Sequence, residues 1–325
     1  MKQNNYLLNF LKVTFFALLL IATSPVRAEI KVVTTIKPLH SLIANVMDGV
    51  GEPSLIIEDS TSPHSFTLKP SHAKLLEEAD LIFWVGEGIE TFMERPLESI
   101  VKNAEVVEFM EVESIEKLKF REESIYGDHD DHDDHDDHDD HDDHDDHDDH
   151  AGHEGHNHGE FDAHIWLDPM NAKEMVREIA HELGHLDPTN KDKYEANADA
   201  TILALDQLIE DVSKDINKDA KFVVFHDAYQ YFEERFGVRA EGALTLNTDV
   251  LPGAKQIDEI QDVIKDRGVN CIFSEPQFNP KIITTIAKDT NIKTGVFDPL
   301  GANINSDKDL YFKLISNLGS ELKGC

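Results

Sequence analysis

The longest uninterrupted helical pattern in this chain constrains its architecture more than any other feature. Residues 191–216, KDKYEANADATILALDQLIEDVSKDI, contain neither Pro nor Gly, and apolar residues recur in them at steps of three and four. The apolar positions are Tyr194, Ala198, Ile202, Leu205, Ile209, Val212 and Ile216. The pattern predicts one helix of about 26 residues, about 39 Å long at 1.5 Å per residue. Such a helix is a stiff connection between the segments on its two sides.

Short apolar strands alternate with helical patterns on both sides of this helix. EIKVVTT, DLIFWVG and AEVVEFM are typical of strands before it, and KFVVFH, CIFSEP and KTGVFD of strands after it. This alternation is typical of α/β folds with mainly parallel sheets. We therefore predict two α/β lobes, residues 29–185 and 218–325, joined by one long rigid helix at 190–217.

The N-terminus has the pattern of a secretory signal peptide. Lys2 and Lys12 precede the apolar run VTFFALLLIA, and SPVRA closes it with a small residue. We predict a signal peptide over residues 1–28 that is removed on export, and no Cys follows the apolar run to indicate a lipid anchor. The chain has two Cys, Cys271 and Cys325, and an even pair in an exported protein predicts a disulfide. Cys325 ends a terminal segment for which the sequence indicates little other attachment.

An Asp/His-rich tract interrupts the first predicted lobe. From Asp128 to His150 a His occurs at every third position among Asp residues, and AGHEGHNHGE follows. Nothing apolar is available to fold it, so we predict a disordered loop over residues 127–160. Its imidazoles and carboxylates are suited to many weak, exchangeable metal sites. These histidines are His129, His132, His135, His138, His141, His144, His147, His150, His153, His156 and His158.

Residues 181–185, HELGH, match the H-E-x-x-H signature of zinc metalloproteases. The helix that contains them begins near Met170 and has its apolar stripe on the other side, so His181 and His185 should face solvent. The Asp187-Pro188 pair then ends the helix where a protease would need it intact. Two surface histidines near a helix end are the better interpretation.

A stronger set of candidate ligands lies just beyond predicted strands. His64, His164 and His226 occur in STSPHSF, FDAHIWLDP and FVVFHDAY, and Asp298 occurs in GVFDPLG. In open α/β sheets ligands bind beyond the carboxyl ends of the strands. Three imidazoles with a carboxylate or a water form a tetrahedral donor set suited to zinc. His40 and His72 begin their own helices, and we interpret both as structural.

As a set, PHSFTLKPS, ADLIFWVGEGIETFM, HIWLDP, FVVFHDAYQYFEERFG, EPQF and DPLGANI resemble the ZnuA family, the periplasmic zinc-binding proteins of ABC uptake transporters. The resemblance covers nearly all of residues 30–325. It implies two α/β lobes on a rigid helix with metal in the cleft between them, ligated by His64, His164 and His226. Asp298 matches the place of a carboxylate ligand in relatives. Some zinc-binding members also have a Glu immediately before the first His, where this chain has Pro63. The fourth ligand is therefore Asp298 or water. Manganese-specific relatives tend to have Glu where this chain has His226.

Two classes of function remain at this stage. In the first, the chain captures Zn²⁺ in the periplasm as a transported ligand and passes it to the membrane permease of a zinc ABC transporter. In the second, it is an exported zinc-dependent hydrolase with an activated water. No general base or substrate pocket is marked in the sequence, so we expect a non-enzymatic binding protein. A monomer is expected, and the net charge of −35 argues against a nucleic-acid partner.

Overall fold

Four short parallel strands form the first sheet, and helices connect them along the chain. The structure is a computed structural model that describes residues 30–121, 125, 160–246, 248 and 252–325. The predicted signal peptide and the histidines of the Asp/His-rich tract lie outside these residues. The strand order is β2–β1–β3–β4. In chain order the elements are β1 (Val32–Thr34), α1 (Lys37–Val46), β2 (Ser54–Leu55), α2 (Pro70–Glu78), β3 (Leu81–Trp84), α3 (Glu94–Ser99) and β4 (Glu105–Glu108).

Two helices follow the first sheet, and both predicted helices are confirmed. α4 spans Pro169–Leu186 and α5 spans Lys191–Asp215. Asp168 is the N-cap of α4, because its carboxylate accepts the N–H of Met170 at 2.8 Å and Pro169 fills the first helical position. α5 has 25 residues, close to the expected length.

The buried face of α5 is rotated from the predicted stripe. Thr201 and Leu208 are buried, whereas Ile202 and Ile209 are only half-buried. The helix packs against α4 along one side and against the C-terminal helix along another, so its contact surface is wider than one stripe.

A second parallel sheet follows α5. Its strand order, β6–β5–β7–β8, repeats the pattern of the first sheet. β5 is buried along its whole length, as is typical of a parallel strand covered on both faces. The elements are β5 (Phe222–His226), α6 (Gln230–Phe236), β6 (Gly242–Thr245), α7 (Ala254–Asp266), β7 (Cys271–Ser274), α8 (Lys281–Thr290), β8 (Lys293–Val296) and α9 (Leu310–Lys323).

The C-terminal helix α9 anchors the chain end firmly, which corrects the expectation that little holds it. Seven of its residues are buried, and it packs against α5 and α1. The Tyr311 hydroxyl donates to the carbonyl of Trp166 at 2.7 Å, and Gly319 brings the helix so close to α5 that a Cβ there would lie 2.9 Å from Val212 Cγ1. The predicted disulfide is confirmed: Cys271 at the start of β7 is bonded to Cys325, with Cα atoms 5.9 Å apart.

Residues 31–325 form one compact unit. Among the described residues, no helix combines the length and apolar character that crossing a bilayer requires.

Candidate metal centre

Three histidines reach one point from separate elements of the fold. His226 is the last residue of β5, and His64 lies in the 3-10 turn Pro63–Ser65 that follows β2. His164 directly precedes the 3-10 turn Ile165–Leu167 that leads into α4. The chain thus delivers imidazoles from the carboxyl-end edges of both sheets and from the entry to α4, as the strand-end pattern predicts.

The distances within this group match a single small ion. The ligand nitrogens of His64, His164 and His226 all lie within 4.8 Å of one another. The Nε2 atoms of His164 and His226 are 3.3 Å apart. That separation equals the edge of a tetrahedron with metal–nitrogen bonds of about 2.0 Å, the usual length for zinc.

A buried carboxylate stands behind two of the three imidazoles. Nδ1 of His164 lies 2.7 Å from Asp162 Oδ1, and Nδ1 of His226 lies 2.6 Å from Glu275 Oε1. When these carboxylates are ionised they can only accept, so each Nδ1 then donates and each Nε2 presents its lone pair to the other side. Carboxylate–histidine pairs of this kind fix the ring orientation and raise ligand basicity in metal sites.

Burial and neighbouring charges shift the pKa values of the two imidazoles in opposite directions. His164 and His226 are 5% and 4% exposed. Burial, followed by the neighbouring His226, holds the pKa of His164 well below its ordinary value. Burial is the largest influence on the pKa of His226 and acts to lower it, but the carboxylates of Glu275, Asp227 and Asp162 together leave that pKa raised. The raised pKa means that a proton and a cation compete for the His226 ring.

Sequence patterns did not identify Asp162 and Glu275 as functional residues. Glu275 directly follows β7, the neighbour of β5, so it occupies the same strand-end position as His226. That placement is a usable signal, although the sequence pattern places Glu275 only at the end of a strand and in the motif EPQF. Asp162 is two residues before His164, and it also accepts the backbone N–H of His164 at 3.0 Å.

Two cavities adjoin the histidines. One, of about 10 Å³, is bounded by side chains that include Trp166, Gln277 and Phe278, and its volume is about that of one water or one ion. The other, of about 320 Å³, lies between the histidines and a wall that includes Phe120 and Arg121. The small cavity suits a single ion, and the larger one lies directly beside the histidines.

Ion pairs join the segments that carry the histidines. Arg235 of α6 makes two 2.7 Å hydrogen bonds to the carboxylate of Asp168, the N-cap of α4. Arg121 contacts Asp227 at 2.9 Å and Glu233 at 2.6 Å. Asp227 follows His226 in the chain, so these contacts fix the chain directly beside the His226 side chain.

Asp298 occupies a different position from that of the three histidines. Its Oδ1 accepts the N–H groups of Leu300 and Gly301 at 3.1 and 3.0 Å, and its Oδ2 accepts that of Ala302 at 2.6 Å. Gln277 Nε2 also donates to Oδ1 at 3.0 Å. The carboxylate therefore holds the turn after β8, and ligation by Asp298 stays a prediction.

The other four described histidines have the surroundings that the sequence predicts. They are His40, His72, His181 and His185. Nε2 of His40 lies 3.1 Å from the carbonyl of Pro53, and Nδ1 of His72 accepts the N–H of Lys69 at the start of α2, consistent with structural roles. His181 and His185 are exposed on α4, on the side away from its buried stripe. HELGH thus does not form the buried two-histidine centre of a metalloprotease.

Two parallel sheets flanked by helices and a cluster of three imidazoles, two of them buried and backed by carboxylates, are typical of a protein that binds one small metal ion. A family model for the periplasmic component A of zinc-uptake complexes, ZnuA, matches residues 32–325. The chain therefore belongs to the ZnuA family.

Two relatives support this membership. A high-affinity zinc uptake system protein ZnuA of Brucella abortus (strain 2308) is 48% identical over 303 residues, which cover 90% of this chain and 91% of the relative. The protein of the same name from Yersinia pestis is 34% identical over 320 residues, 97% and 98% of the two chains.

Two solved structures share the fold. A crystal structure of ZnuA has a TM-score of 0.72 at 21% identity and covers 91% of this chain and 98% of its own. The laminin-binding protein Lmb of Streptococcus agalactiae, described as bifunctional with adhesin and metal transporting activity, has a TM-score of 0.67 at 26% identity, covering 90% and 99%.

Proposed function

We propose that this protein captures Zn²⁺ in the periplasm and delivers it to the membrane permease of a zinc ABC transporter. The observation that carries the proposal is the convergence of three imidazoles at the distances of one tetrahedral ion, inside a chain of the ZnuA family. Zinc is the transported ligand and not a resident cofactor. The family consists of transport components, so the alternative of an exported zinc hydrolase has no support.

The donor set favours zinc over harder ions. Imidazole suits zinc, whereas carboxylate and water suit manganese and magnesium. His226 supplies a third imidazole, backed by Glu275, at the place where a carboxylate would favour manganese. We propose His64, His164 and His226 as the ligands of the tight site. The hydrogen bonds of Asp298 within its own turn favour water as the fourth ligand.

We further infer that the two sheets belong to two lobes, residues 29–185 and 218–325, on either side of α5, and that zinc binds in the cleft between them. His64 follows a strand of the first sheet and His226 ends a strand of the second, which supports this arrangement. Such a site can close around an ion by small movements of either part, and α5 limits these movements because it is one continuous helix.

The Asp/His-rich tract serves as a low-affinity collector in this account. Phe120 and Arg121, which line the larger cavity, lie seven residues or more before the tract begins at Asp128. Dense negative charge raises the local cation concentration and speeds capture at low ionic strength. Residues 1–28 act as the export signal, and the chain works as a monomer without a nucleic-acid partner.

A competitive titration against a zinc chelator tests the ligand assignment. Replacing His64, His164 or His226 singly with Ala should weaken tight zinc binding by orders of magnitude, because the chelate loses a ligand and its geometry. His181→Ala is the matched control, since this imidazole is exposed on α4 and outside the centre. Unchanged zinc affinity in all three variants would sink the assignment.

A further inference from the structure

A second group of metal-ligating side chains lies at the other end of α4. Glu182 and His185 are three residues apart, so they share a face of the helix. Glu105, the first residue of β4, completes the group, and the ligand atoms of the three residues all lie within 4.8 Å of one another. This group includes two of the three signature residues of the HELGH motif, for which the proposed function has no use.

The position separates this group from the three-histidine centre. In a parallel sheet the start of a strand lies at the edge opposite its carboxyl end, and Glu105 starts β4. Along α4, Glu182 lies fourteen residues beyond Asp168, about 20 Å at 1.5 Å per residue. A cation bound here therefore cannot be the ion held by His64, His164 and His226.

The two carboxylates of the group need a cation or a proton between them. Glu105 and Glu182 lie in hydrogen-bonding contact, and the Glu182 side chain is only 13% exposed, which limits the screening of their repulsion by water. They also line an open groove with Glu108, Glu111 and Glu178. A divalent cation would relieve this repulsion, and the adjacent imidazole adds a neutral donor suited to transition metals.

We propose that Glu105, Glu182 and His185 form a second, surface site for a divalent transition-metal cation such as Zn²⁺. Spacings of up to 4.8 Å exceed the tetrahedral edge of about 3.3 Å, so the exposed His185 ring must move inward to complete the site. The site is therefore weaker and faster to exchange than the buried centre. Its existence does not depend on the function proposed for that centre.

Site-resolved NMR on the full chain tests this proposal. Zn²⁺ is added to ¹⁵N-labelled protein whose tight site is already loaded, and the amide of Glu105 and the imidazole nitrogens of His185 are followed. We expect both sets of resonances to shift together and saturate. Glu182→Gln and His185→Ala should abolish the zinc-dependent shift of the Glu105 amide. Glu178→Gln, in the same groove but outside the group, should retain it.

Three outcomes would overturn the proposal. In the first, the wild-type resonances do not shift. In the second, the shift persists in Glu182→Gln and His185→Ala. In the third, Glu178→Gln loses the shift as well, which indicates general attraction to an acidic groove. A repeat in the His226→Ala variant separates the two sites: the surface shifts remain if the sites are independent, whatever becomes of the tight site, and their loss there would also refute the proposal.

Discussion

At the scale of single residues, buried carboxylates contact two of the three imidazoles of the proposed metal centre. Glu275 accepts from Nδ1 of His226 at 2.6 and 2.8 Å and is 3% exposed. It orients the ring and increases the electron density at Nε2. It also stabilises the protonated ring, so a proton competes with the metal for Nε2.

Replacing Glu275 with Gln should weaken tight zinc binding by about 10–100-fold, the usual cost of losing such a partner. The pKa of His226 should fall, because burial is then opposed only by the weaker influence of the Asp227 and Asp162 carboxylates. Competitive titration gives the affinity, and calorimetry in buffers of different ionisation enthalpy gives the protons released per zinc, which should decrease at neutral pH. Glu241→Gln is the control, since Glu241 pairs with Arg267. Wild-type affinity in Glu275→Gln would contradict this role.

A buried carboxyl in the first sheet should make stability depend on pH. Glu90 is fully buried after β3, and burial raises its pKa from 4.5 to about 7 despite hydrogen bonds from the N–H groups of Val85 and Gly86. The folded state therefore holds this proton more tightly than the unfolded state does. The stabilisation is complete below pH 4.5 and is lost as the pH rises to about 7, by at most roughly 3 kcal/mol.

Glu90→Gln should remove this part of the pH dependence. The amide oxygen can still accept both N–H groups but has no charge to bury. Urea unfolding of the metal-free protein at pH 5, 6, 7 and 8 would give a shallower decline of the free energy of unfolding than in wild type. Asp162 and Glu108, whose burial also raises their pKa values to about 7, keep their contribution in both proteins. Equal slopes in the two proteins would rule out the effect.

The sequence predicts which histidines come together better than it predicts which residues support them. His64, His164 and His226 each lie beside the end of a strand or the start of a helix, positions that local patterns locate well. Their supporting contacts depend on packing between elements: Glu275 reaches His226 only because β7 pairs with β5. Asp298 shows the converse. It lies near the end of a strand, as the sequence predicts, but its carboxylate accepts hydrogen bonds from its own loop.

At the scale of elements, a sequence pattern with one strong period predicts the buried face of a helix correctly. A buried face that depends on contacts with several other elements is not predicted. α4 buries the predicted residues Ala172, Met175, Val176, Ile179 and Leu183. In α5 the buried positions are displaced, because α4, α9 and α1 all pack against it. The sequence pattern does not predict α9, although its buried residues recur at helical spacing. Gly319 weakens the helical pattern, and the close packing of Gly319 against Val212 cannot be read from the sequence.

The disulfide between β7 and the end of α9 should contribute to stability without affecting the metal centre. Replacing both Cys271 and Cys325 with Ser opens a loop with a sequence separation of 54 residues. We expect a loss of about 2–5 kcal/mol in the free energy of unfolding, because the unfolded chain gains conformational freedom. Urea unfolding measures the loss, and reduction of the wild-type protein should reproduce it. Tight zinc binding should be unchanged, and a variant as stable as wild type would show that α9 alone anchors the chain end.

At the scale of the whole molecule, the buried centre and the Asp/His-rich tract should bind zinc independently. Deleting Asp128–His158 should leave one tight zinc per chain and remove the additional weak equivalents, because flexible ligands lose conformational entropy when they chelate. Weak binding in the intact protein should also fade as the pH falls through about 6.5, where unperturbed imidazoles gain a proton. Isothermal titration of the deletion variant decides this. Loss of the tight site would mean that the tract supplies ligands to it.

The central claim is that one zinc ion binds between His64, His164 and His226. Anomalous diffraction at the zinc absorption edge, from crystals of protein loaded with one equivalent of zinc, locates that ion directly. The account predicts a peak at about 2.0–2.1 Å from Nε2 of His164, from Nε2 of His226 and from a ring nitrogen of His64, with a water or Asp298 as the fourth ligand. A principal peak elsewhere in the molecule, or one that contacts fewer than three of these imidazoles, would contradict it.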